Sequence, residues 1–333
     1  MTTSTTASAD LERVHHAVSA YGDNPSGFLA LSSQNSSFHA SDTPGVIVYR
    51  TSGPFLVQFG GPFAPTDRAA ELLDRFVEFA VAQNRTVVTV QVQEPETGLY
   101  ASRGFTVNQV GASYAVDLAR FTLRGSRFMQ LRNKVARAAR AGLTVVEGSL
   151  EQWAEGVAAV DRAWLGSKGE QAKELEFLVG ECGGASQAHR RLFLGLMDKK
   201  VVGYISYSPA YGSRPGWLHD LSRRLPDDSP GIMETLNKTA IETFLAEGAQ
   251  WLHFGFTPFT SLSPEHEKPG ASPAFTWFMH WMWENGGAVY PAQSQLAYKR
   301  KWAPHLVLPE YIAFQGPARA SGLIHVFKAS NAV

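Results

Sequence analysis

The chain has 333 residues, which is enough for about two domains of ordinary size. Thirty basic and thirty acidic residues give it a formal net charge of zero, which excludes a broadly basic polyanion binder but leaves room for a local basic patch. Its one cysteine, Cys182, excludes an internal disulfide and a cysteine-based zinc cluster.

The N-terminal segment MTTSTTASAD is polar and lacks the apolar core that a signal peptide needs. No apolar run in the chain approaches the roughly 20 residues of a membrane-spanning helix. The longest aromatic run, FTWFMHWMW, is shorter and is interrupted by His280. We therefore expect a cytoplasmic protein without integral membrane association.

Alternating strands and helices are predicted between residues 45 and 118. The segments GVIVYR and PFLVQFG have the pattern of paired strands, and RTVVTVQV and SYAVDL have that of two further strands. The spacing of apolar residues in TDRAAELLDRFVEFAVAQN predicts a helix with Thr66 as its N-cap. LYASRGF predicts a short helix that ends at Gly104. This order indicates an α/β sheet that ends near Leu118.

A basic stretch follows, with seven basic residues and no acidic residue between Leu118 and Val146. On a helix over residues 128–142, one face would be apolar, formed by Phe128, Leu131, Val135, Ala138, Ala139 and Gly142. The opposite face would be cationic, formed by Arg132, Lys134, Arg137 and Arg140. The solvated face of a surface helix usually mixes both charge signs for pairing. A face of one sign therefore favours a phosphate-rich partner.

A second series of elements comes after the basic stretch. A helix is predicted over residues 151–163, and strands are predicted over RRLFLGLM, VVGYISYS, GWLHDL and QWLHFGF. Helix start and stop signals predict another helix over residues 230–247, with Ser229 as its N-cap and Pro230 in its first turn. The last predicted helix begins at Pro273 and ends at the pair Gly286 and Gly287.

The connection HDLSRRLPDDSPGIME, residues 219–234, carries both charge signs between a predicted strand and a predicted helix. Asp220 and Arg223 would lie where the chain leaves the strand, a common place for ligands in α/β proteins. One could hold an ammonium group and the other an anion, although a surface ion pair explains the two residues equally well. Asp227 and Asp228 are better explained as an ordinary acidic turn at a helix start.

Coenzyme A is a poor match to the turn LPDDSPG within this connection. GNAT acetyltransferases bind its pyrophosphate through backbone N–H groups of a Gly-rich turn before a helix. Here two carboxylates stand where the pyrophosphate would lie, and Pro230 has no N–H. Near the end of the chain, YKRKW has three cations between aromatic residues, which is typical of a surface edge or of a second phosphate contact. No metal-ligand cluster is recognisable, so we expect no metal or redox cofactor.

Taken together, these stretches resemble the aminoacyltransferase domain of the lysyl- and alanyl-phosphatidylglycerol synthases. The likeness covers residues 27–314. It rests on GGPFAP, LYASRGF, FTLRG, LRNKVARAARAGL, WLGSKGEQAKELEF, HDLSRRLPDDSPGIMETL, HFGFTPF and YKRKWAPHLVLPEYIAF. The sequence departs from the family pattern at Gly61, at GAS (residues 111–113) and at Ser222. The large membrane domain usually fused ahead of this fold is also missing from the sequence, which leads us to expect a soluble acceptor.

The resemblance implies an α/β fold of two tandem GNAT-like (acyl-CoA N-acyltransferase-like) domains, with mixed sheets flanked by helices. We assign residues 1–120 to the N-terminal domain, 121–148 to a basic helical joint and 149–333 to a C-terminal domain that carries most of the active site. The predicted catalytic residues are Asp220, Arg223, Lys299 and Lys301. The predicted substrate-binding residues are Glu174, Phe177, His219, Glu234, Gly255 and Tyr298. The predicted tRNA-binding residues are Arg127, Arg132, Lys134, Arg137 and Arg140.

The donor that the resemblance implies is aminoacyl-tRNA. We predict transfer of its aminoacyl group to a hydroxyl or hydroxylamine group of a small soluble acceptor, as in natural-product (antibiotic) biosynthesis by free-standing relatives. The ester is already activated, so the protein would supply mainly positioning and charge stabilisation. The alternatives are aminoacylation of phosphatidylglycerol, coenzyme A-dependent N-acylation and a non-catalytic RNA-binding module.

Overall fold

The structure of the chain is a computed structural model that describes residues 3–169, 173–226, 231–288 and 290–332. The strands are β1 (Ser36–Ala40), β2 (Thr43–Ser52), β3 (Phe55–Phe63), β4 (Thr86–Gln93), β5 (Phe105–Asp117), β6 (Thr144–Gly148), β7 (Arg191–Met197), β8 (Lys200–Ala210), β9 (Gly216–Arg224), β10 (Trp251–Pro258) and β11 (Leu306–Gln315). The α-helices are α1 (Thr3–Tyr21), α2 (Ala69–Ala82), α3 (Thr97–Ala101), α4 (Met129–Arg140), α5 (Leu150–Gly166), α6 (Ile232–Ala246), α7 (Pro273–Asn285), α8 (Ala292–Arg300) and α9 (Ala320–Ala329).

All the strands of the described residues belong to one mixed sheet in the order β1-β2-β3-β4-β11-β5-β10-β9-β8-β7-β6. In the N-terminal half, α2 and α3 cover one face, while α1, α7 and α9 cover the other. In the C-terminal half, α4 and α6 pack over Tyr207 and Phe193, and α5 packs on the opposite face over Tyr204 and Leu194. The sheet is therefore enclosed between helices along most of its length.

The N-terminal half confirms most of the elements predicted there. β2 and β3 pair antiparallel across a turn at Gly53, where φ is +53°, and α2 leads to β4, which lies parallel to β3. The predicted N-cap, Thr66, is wrong, because α2 begins at Ala69. The amides of Arg68 and Ala69 both bond to the carbonyl of Pro65, and this turn delays the start of the helix.

The last strand, β11, lies between β4 and β5 and is antiparallel to both. Helix α9 follows it and packs against β2, β3 and β4. The end of the chain thus completes the N-terminal half of the sheet. The domain boundaries at residues 120 and 148 remain predictions, and β11 and α9 are the late elements that return to the first half.

Strands β9 and β10 are parallel neighbours over only a short stretch, which ends at Leu218 opposite His253. Beyond it, β10 continues along β5 and β9 continues along β8, so the two strands separate. β9 runs on to Arg224, which places Asp220 and Arg223 inside the strand. The sequence had suggested that the strand ends at Leu221 and that both residues lie where the chain leaves it, because charged residues there interrupt the apolar pattern.

A bulge in β9 changes the direction of its side chains at the point of separation. Ser206 of β8 is opposite Leu221, whereas Tyr207 is opposite His219, so Asp220 is an extra residue in the ladder. A bulge of this kind bends the strand and redirects the side chains next to it. The residues predicted after it, Asp227, Asp228, Ser229 and Pro230, lie outside the described residues, and α6 is described from Ile232.

Helix α4 confirms the helix predicted over the basic stretch. Phe128, Leu131 and Ala138 are buried in a cluster that they share with α6. Ala139 and Gly142 were predicted for the same apolar face, but they are exposed. The helix ends before Gly142, whose φ is +91°, so helical periodicity no longer applies there.

Among the described residues, no helix combines the length and the apolar character that a bilayer span requires.

Candidate active site

A cavity of about 1050 Å³ lies where β9 and β10 separate. Its walls come from β9, from Phe254 to Phe256 of β10, from the end of α5 and the segment after it, and from α8. Beyond Leu218, one edge of β9 is not paired with β10 and faces this space. Unpaired strand edges offer backbone N–H and C=O groups to a ligand, so this is the place in the fold best prepared to bind one.

Asp220 forms a buried ion pair with Arg190, which sequence reasoning missed. The distance from Arg190 Nε to Asp220 Oδ2 is 3.3 Å, and both side chains are completely buried. Arg190 also donates a hydrogen bond to Ser186 Oγ at 2.8 Å and lies over the ring of Phe28. Because Arg190 is 30 residues from Asp220 in the sequence, no local pattern could have found this pair.

Burial raises the pKa of Asp220 to about 6, although the Arg190 charge and the nearby hydroxyls of Ser206 and Ser208 act to lower it. Its Oδ1 atom has no partner in hydrogen-bonding geometry among the described residues. Gly180 covers the carboxylate, since a Cβ there would be 2.6 Å from Asp220 Cγ. The amide of Gly180 also donates to the Asp220 carbonyl at 3.0 Å. A substrate could therefore reach the carboxylate only if the Gly180 segment moved aside.

Arg223 does not contact Asp220 and instead binds two other carboxylates. Its Nη1 atom is 2.9 Å from both Asp161 Oδ1 and Glu174 Oε1, and its guanidinium lies 4.9 Å from the centre of the Trp164 ring. The side chain is almost fully buried, so the two acids and the ring hold it in one position. Arg223 lines both the main cavity and a smaller one of about 190 Å³, which Glu174 also lines.

Lys299 is a buried lysine in the cavity wall. Its Nζ atom donates to the carbonyls of Gly255 at 2.8 Å and Phe256 at 3.0 Å, at the irregularity where β10 turns away from β9. Gly255 has a φ of +67°, which suits glycine at this turn. Burial lowers the pKa of Lys299 to about 7, while the charge of Glu310 acts to raise it. The ammonium group is therefore poised to change its charge near neutral pH.

Two predicted substrate-binding residues form an aromatic wall of the cavity. His219 and Tyr298 have ring centres 6.0 Å apart in a T-shaped arrangement. His219 Nδ1 is 3.3 Å from Asn237 Oδ1, which also accepts a hydrogen bond from the Tyr207 hydroxyl. Burial lowers the pKa of His219 to about 3, so the imidazole is neutral at physiological pH.

Lys301 and Glu234, by contrast, do not line the main cavity. Glu234 accepts ion pairs from Lys301 at 3.0 Å and from Lys134 of α4 at 3.3 Å. Burial acts to raise the pKa of Glu234, but the hydrogen bond from Lys301 and the two ammonium charges outweigh it and lower that pKa. This cluster ties α4, α6 and α8 together. Phe177, which was also predicted to bind substrate, does not line the cavity either. It is fully buried in the core, with Arg50 over its ring.

Two further cations at the cavity were not identified from the sequence. Lys168 and Lys173 line the cavity and are exposed, and Lys168 lies 5.2 Å from the centre of the Trp164 ring. Both lie within the stretch WLGSKGEQAKELEF, which carries part of the family resemblance but was not noted for its charge. With Lys299 and Arg223, they make basic residues outnumber acidic ones in the cavity lining, where Asp220 is the acid.

The predicted tRNA-binding residues differ in how far they are free to bind a partner. Arg132 donates to the carbonyls of Leu123 and Gly125 at 2.5 and 2.8 Å, which holds the loop before α4. Arg127 lies over the ring of its neighbour Phe128. Arg137 and Arg140 are exposed on α4. These last two are the best placed of the set to meet a large anion.

No group of three or more His, Cys, Asp or Glu side chains in the described ranges is arranged to hold a metal ion. Cys182 is partly buried, and burial raises the pKa of its thiol to about 12. A thiol that keeps its proton is a poor nucleophile. The basic side chains that line the cavity suit the binding of anions and the stabilisation of negative charge.

The fold and cavity define an acyltransferase-like α/β architecture, and comparison with known proteins identifies the family. Residues 15–314 match the family described as phosphatidylglycerol lysyltransferase, C-terminal. The chain belongs to this family, as the sequence resemblance had predicted.

A phosphatidylglycerol lysyltransferase of Staphylococcus epidermidis is 23% identical to the chain over 319 residues. The alignment covers 92% of this chain and 36% of the relative, so the chain spans about a third of the relative's length.

Two solved structures share the fold. The C-terminal domain of an Agrobacterium fabrum protein described as a lysylphosphatidylglycerol synthetase matches with a TM-score of 0.80 and 20% identity, over 98% of this chain and 99% of that one. The L-PGS structure from Bacillus licheniformis matches with a TM-score of 0.77 and 20% identity, over 96% and 95%. The predicted fold class, tandem GNAT-like α/β units with mixed sheets flanked by helices, is confirmed.

Proposed function

We propose that the chain is an aminoacyltransferase that moves an aminoacyl group from tRNA to a hydroxyl group. The observation that carries this proposal is the cationic cavity between the separated strands β9 and β10 in a member of this family. An aminoacyl-tRNA brings phosphates to the site, and its ester develops a negative oxygen during transfer. Both features are stabilised by positive charge held in a partly enclosed space.

The reaction needs no covalent intermediate on the protein. The acceptor oxygen attacks the ester carbonyl, a tetrahedral oxyanion forms, and the bond to the 3′-terminal ribose oxygen breaks. The proton lost by the acceptor passes to that leaving oxygen. Lys299 would stabilise negative charge in its protonated form, while Lys168 and Lys173 would bind phosphate at the mouth. Asp220 would bind the α-ammonium group or accept the proton, and both roles require the Gly180 segment to open.

We further propose that the acceptor is the headgroup of phosphatidylglycerol. The relative from Staphylococcus epidermidis is a phosphatidylglycerol lysyltransferase, and a cationic cavity suits an acceptor with its own phosphate. The small soluble acceptor predicted from the sequence is the alternative. A lipid headgroup and a small polyol phosphate share the same hydroxyl chemistry, so only an assay can separate them.

The test uses the full chain and a pool of charged tRNAs. The acceptor is either phosphatidylglycerol vesicles, a small hydroxyl compound or a small hydroxylamine compound. Loss of one aminoacyl ester should depend on protein and should be fastest with phosphatidylglycerol vesicles, with the label recovered in lipid. Faster transfer to small hydroxyl or hydroxylamine compounds would show that the acceptor is a small soluble molecule, as predicted from the sequence. Ester left intact under every condition, together with acetyl transfer from acetyl-coenzyme A, would overturn the proposal.

A further inference from the structure

An exposed aromatic face on α7 is not explained by the cavity or by the core. Trp277 is 66% exposed and Trp281 is 43% exposed, one helical turn apart. Phe278 stacks on Trp281 with ring centres 5.9 Å apart. The opposite face of α7, with Phe275, is buried on the sheet, so the helix itself is firmly anchored. Two exposed tryptophans one turn apart on an anchored helix make this face a candidate contact surface, because tryptophan is enriched at interfaces.

We propose that this face of α7 docks on the interface of a lipid bilayer. Tryptophan is the side chain that most favours this interface, because its ring is apolar and its indole N–H remains hydrated. The inference rests on the proposed lipid acceptor, since a headgroup anchored in a membrane reaches the cavity only if the protein comes to the surface.

The position and charge of the face match such a partner. Tyr290 and Pro291 follow α7 and line the cavity. Gln293 of α8 donates a hydrogen bond to the Trp283 carbonyl at 3.2 Å, so the end of α7 that carries Trp281 lies against a helix that forms part of the cavity wall. The cavity presents Lys168 and Lys173, which complement an anionic headgroup.

Two other partners fit the face less well. α7 contains no lysine or arginine, and a face for RNA would need them. A second copy of the chain would need about 800 Å² of buried surface per partner. The two indole rings together expose on the order of 200 Å², well short of that requirement.

The experiment measures vesicle binding and transfer separately. The wild-type chain should sediment with phosphatidylglycerol vesicles, and brominated lipid should quench its tryptophan fluorescence. The variant Trp277→Ala/Trp281→Ala should lower the bound fraction at least fivefold and lose most of the quenching. Its transfer to water-soluble glycerophosphoglycerol should match the wild type, because neither ring lines the cavity.

The matched control is Val81→Ala/Met129→Ala, which removes two similarly exposed apolar side chains from α2 and α4. It should bind vesicles as the wild type does. Equal vesicle binding by the tryptophan variant and the wild type would overturn the inference. So would a wild-type chain that is a dimer in solution and a tryptophan variant that is a monomer. If the wild type binds vesicles but transfers nothing to glycerophosphoglycerol, the result counts against the proposed function alone. Vesicle binding is measured independently of transfer.

Discussion

At the scale of single residues, the cavity depends on charges that are buried before any substrate arrives. Asp220 is paired with Arg190, Arg223 is paired with two acids, and Lys299 bonds to two carbonyls. Removing one partner of such a group usually costs more than the pair contributes, because the other charge stays buried and unpaired. Activity measurements on these positions therefore need a readout that separates chemistry from stability.

Asp220→Asn is the cleanest probe of the buried carboxylate. If the ionised form is required, the wild-type transfer rate should rise with pH up to about 6, the pKa of Asp220, and then level off. The Asn variant should lower turnover by roughly a hundredfold, the scale of a lost general base, and should lose that pH dependence. Single-turnover rates from pH 5 to 8 provide the measurement.

The matched control for that substitution is Asp198→Asn, in the turn between β7 and β8. Asp198 has a φ of +49°, a conformation that asparagine also adopts readily. This variant should keep the wild-type rate and pH profile. If Asp220→Asn also transfers at the wild-type rate, Asp220 has a structural role only.

Lys299→Met should change how stability depends on pH. An unfolded lysine has a pKa of about 10.4, whereas the folded-state pKa of Lys299 is about 7. Between these values the unfolded chain binds a proton that the folded chain has released, so the wild-type free energy of unfolding should rise with pH from about 7 to 10. The rise should amount to a few kcal/mol, at about 1.4 kcal/mol per pKa unit.

The Met variant should lack most of that rise when urea unfolding is compared at pH 7 and pH 9.5. Lys301→Met removes a neighbouring, partly exposed lysine and should keep the rise, because Lys299 stays in place. A Lys299→Met variant with the full wild-type pH dependence would show that the buried ammonium is not its source.

At the scale of elements, α4 is the part of the chain best suited to meet tRNA. Its structural arginine is Arg132, which holds the preceding loop, and its exposed arginines are Arg137 and Arg140. A charge reversal at Arg132 would disturb this loop, so a loss of tRNA binding could not be separated from a loss of structure. The exposed pair can be changed without loss of a buried contact.

Arg137→Glu/Arg140→Glu should weaken tRNA binding at least tenfold and flatten its salt dependence, because fewer counterions are released. Filter binding at several salt concentrations gives both quantities. Arg162→Glu/Lys200→Glu reverses two exposed cations outside α4 and should leave the salt slope unchanged. Equal slopes for the two variants and the wild type would remove α4 from the tRNA-binding surface.

At the scale of the whole molecule, β11 joins the two ends of the chain. It pairs with β4 on one side and β5 on the other, and α9 then packs on the first half of the sheet. Without it, two long inner strands would become free edges and would lose their hydrogen-bond partners. The N-terminal half is therefore not expected to fold without the C-terminal residues.

A chain of residues 1–305 should be insoluble or should unfold without a cooperative transition. A chain of residues 1–330 keeps all of α9, and it should unfold cooperatively near the wild-type temperature. Thermal melting followed by circular dichroism compares the two. Cooperative, near wild-type melting of residues 1–305 would show that β11 is dispensable.

Local patterns in the sequence determined most of the elements. The pair β2 and β3, strand β4 and helices α4 and α5 all follow from apolar periodicity and turn residues, which act over a few positions. The same patterns erred where a local signal was weak or misleading. Thr66 was an eligible N-cap, but the turn at Pro65 places the helix start three residues later.

The sequence by itself also determined the family through its resemblance. It named Asp220 and Arg223 from the charged connection after a predicted strand, and Lys299 from the cations of YKRKW. Only the tertiary structure decided which charges meet. It paired Asp220 with the distant Arg190, turned Arg223 toward Asp161, and moved Lys301 to Glu234. The physical reason is that a charge's partner depends on which strands become neighbours, and strand order is set by packing of the whole chain rather than by local periodicity.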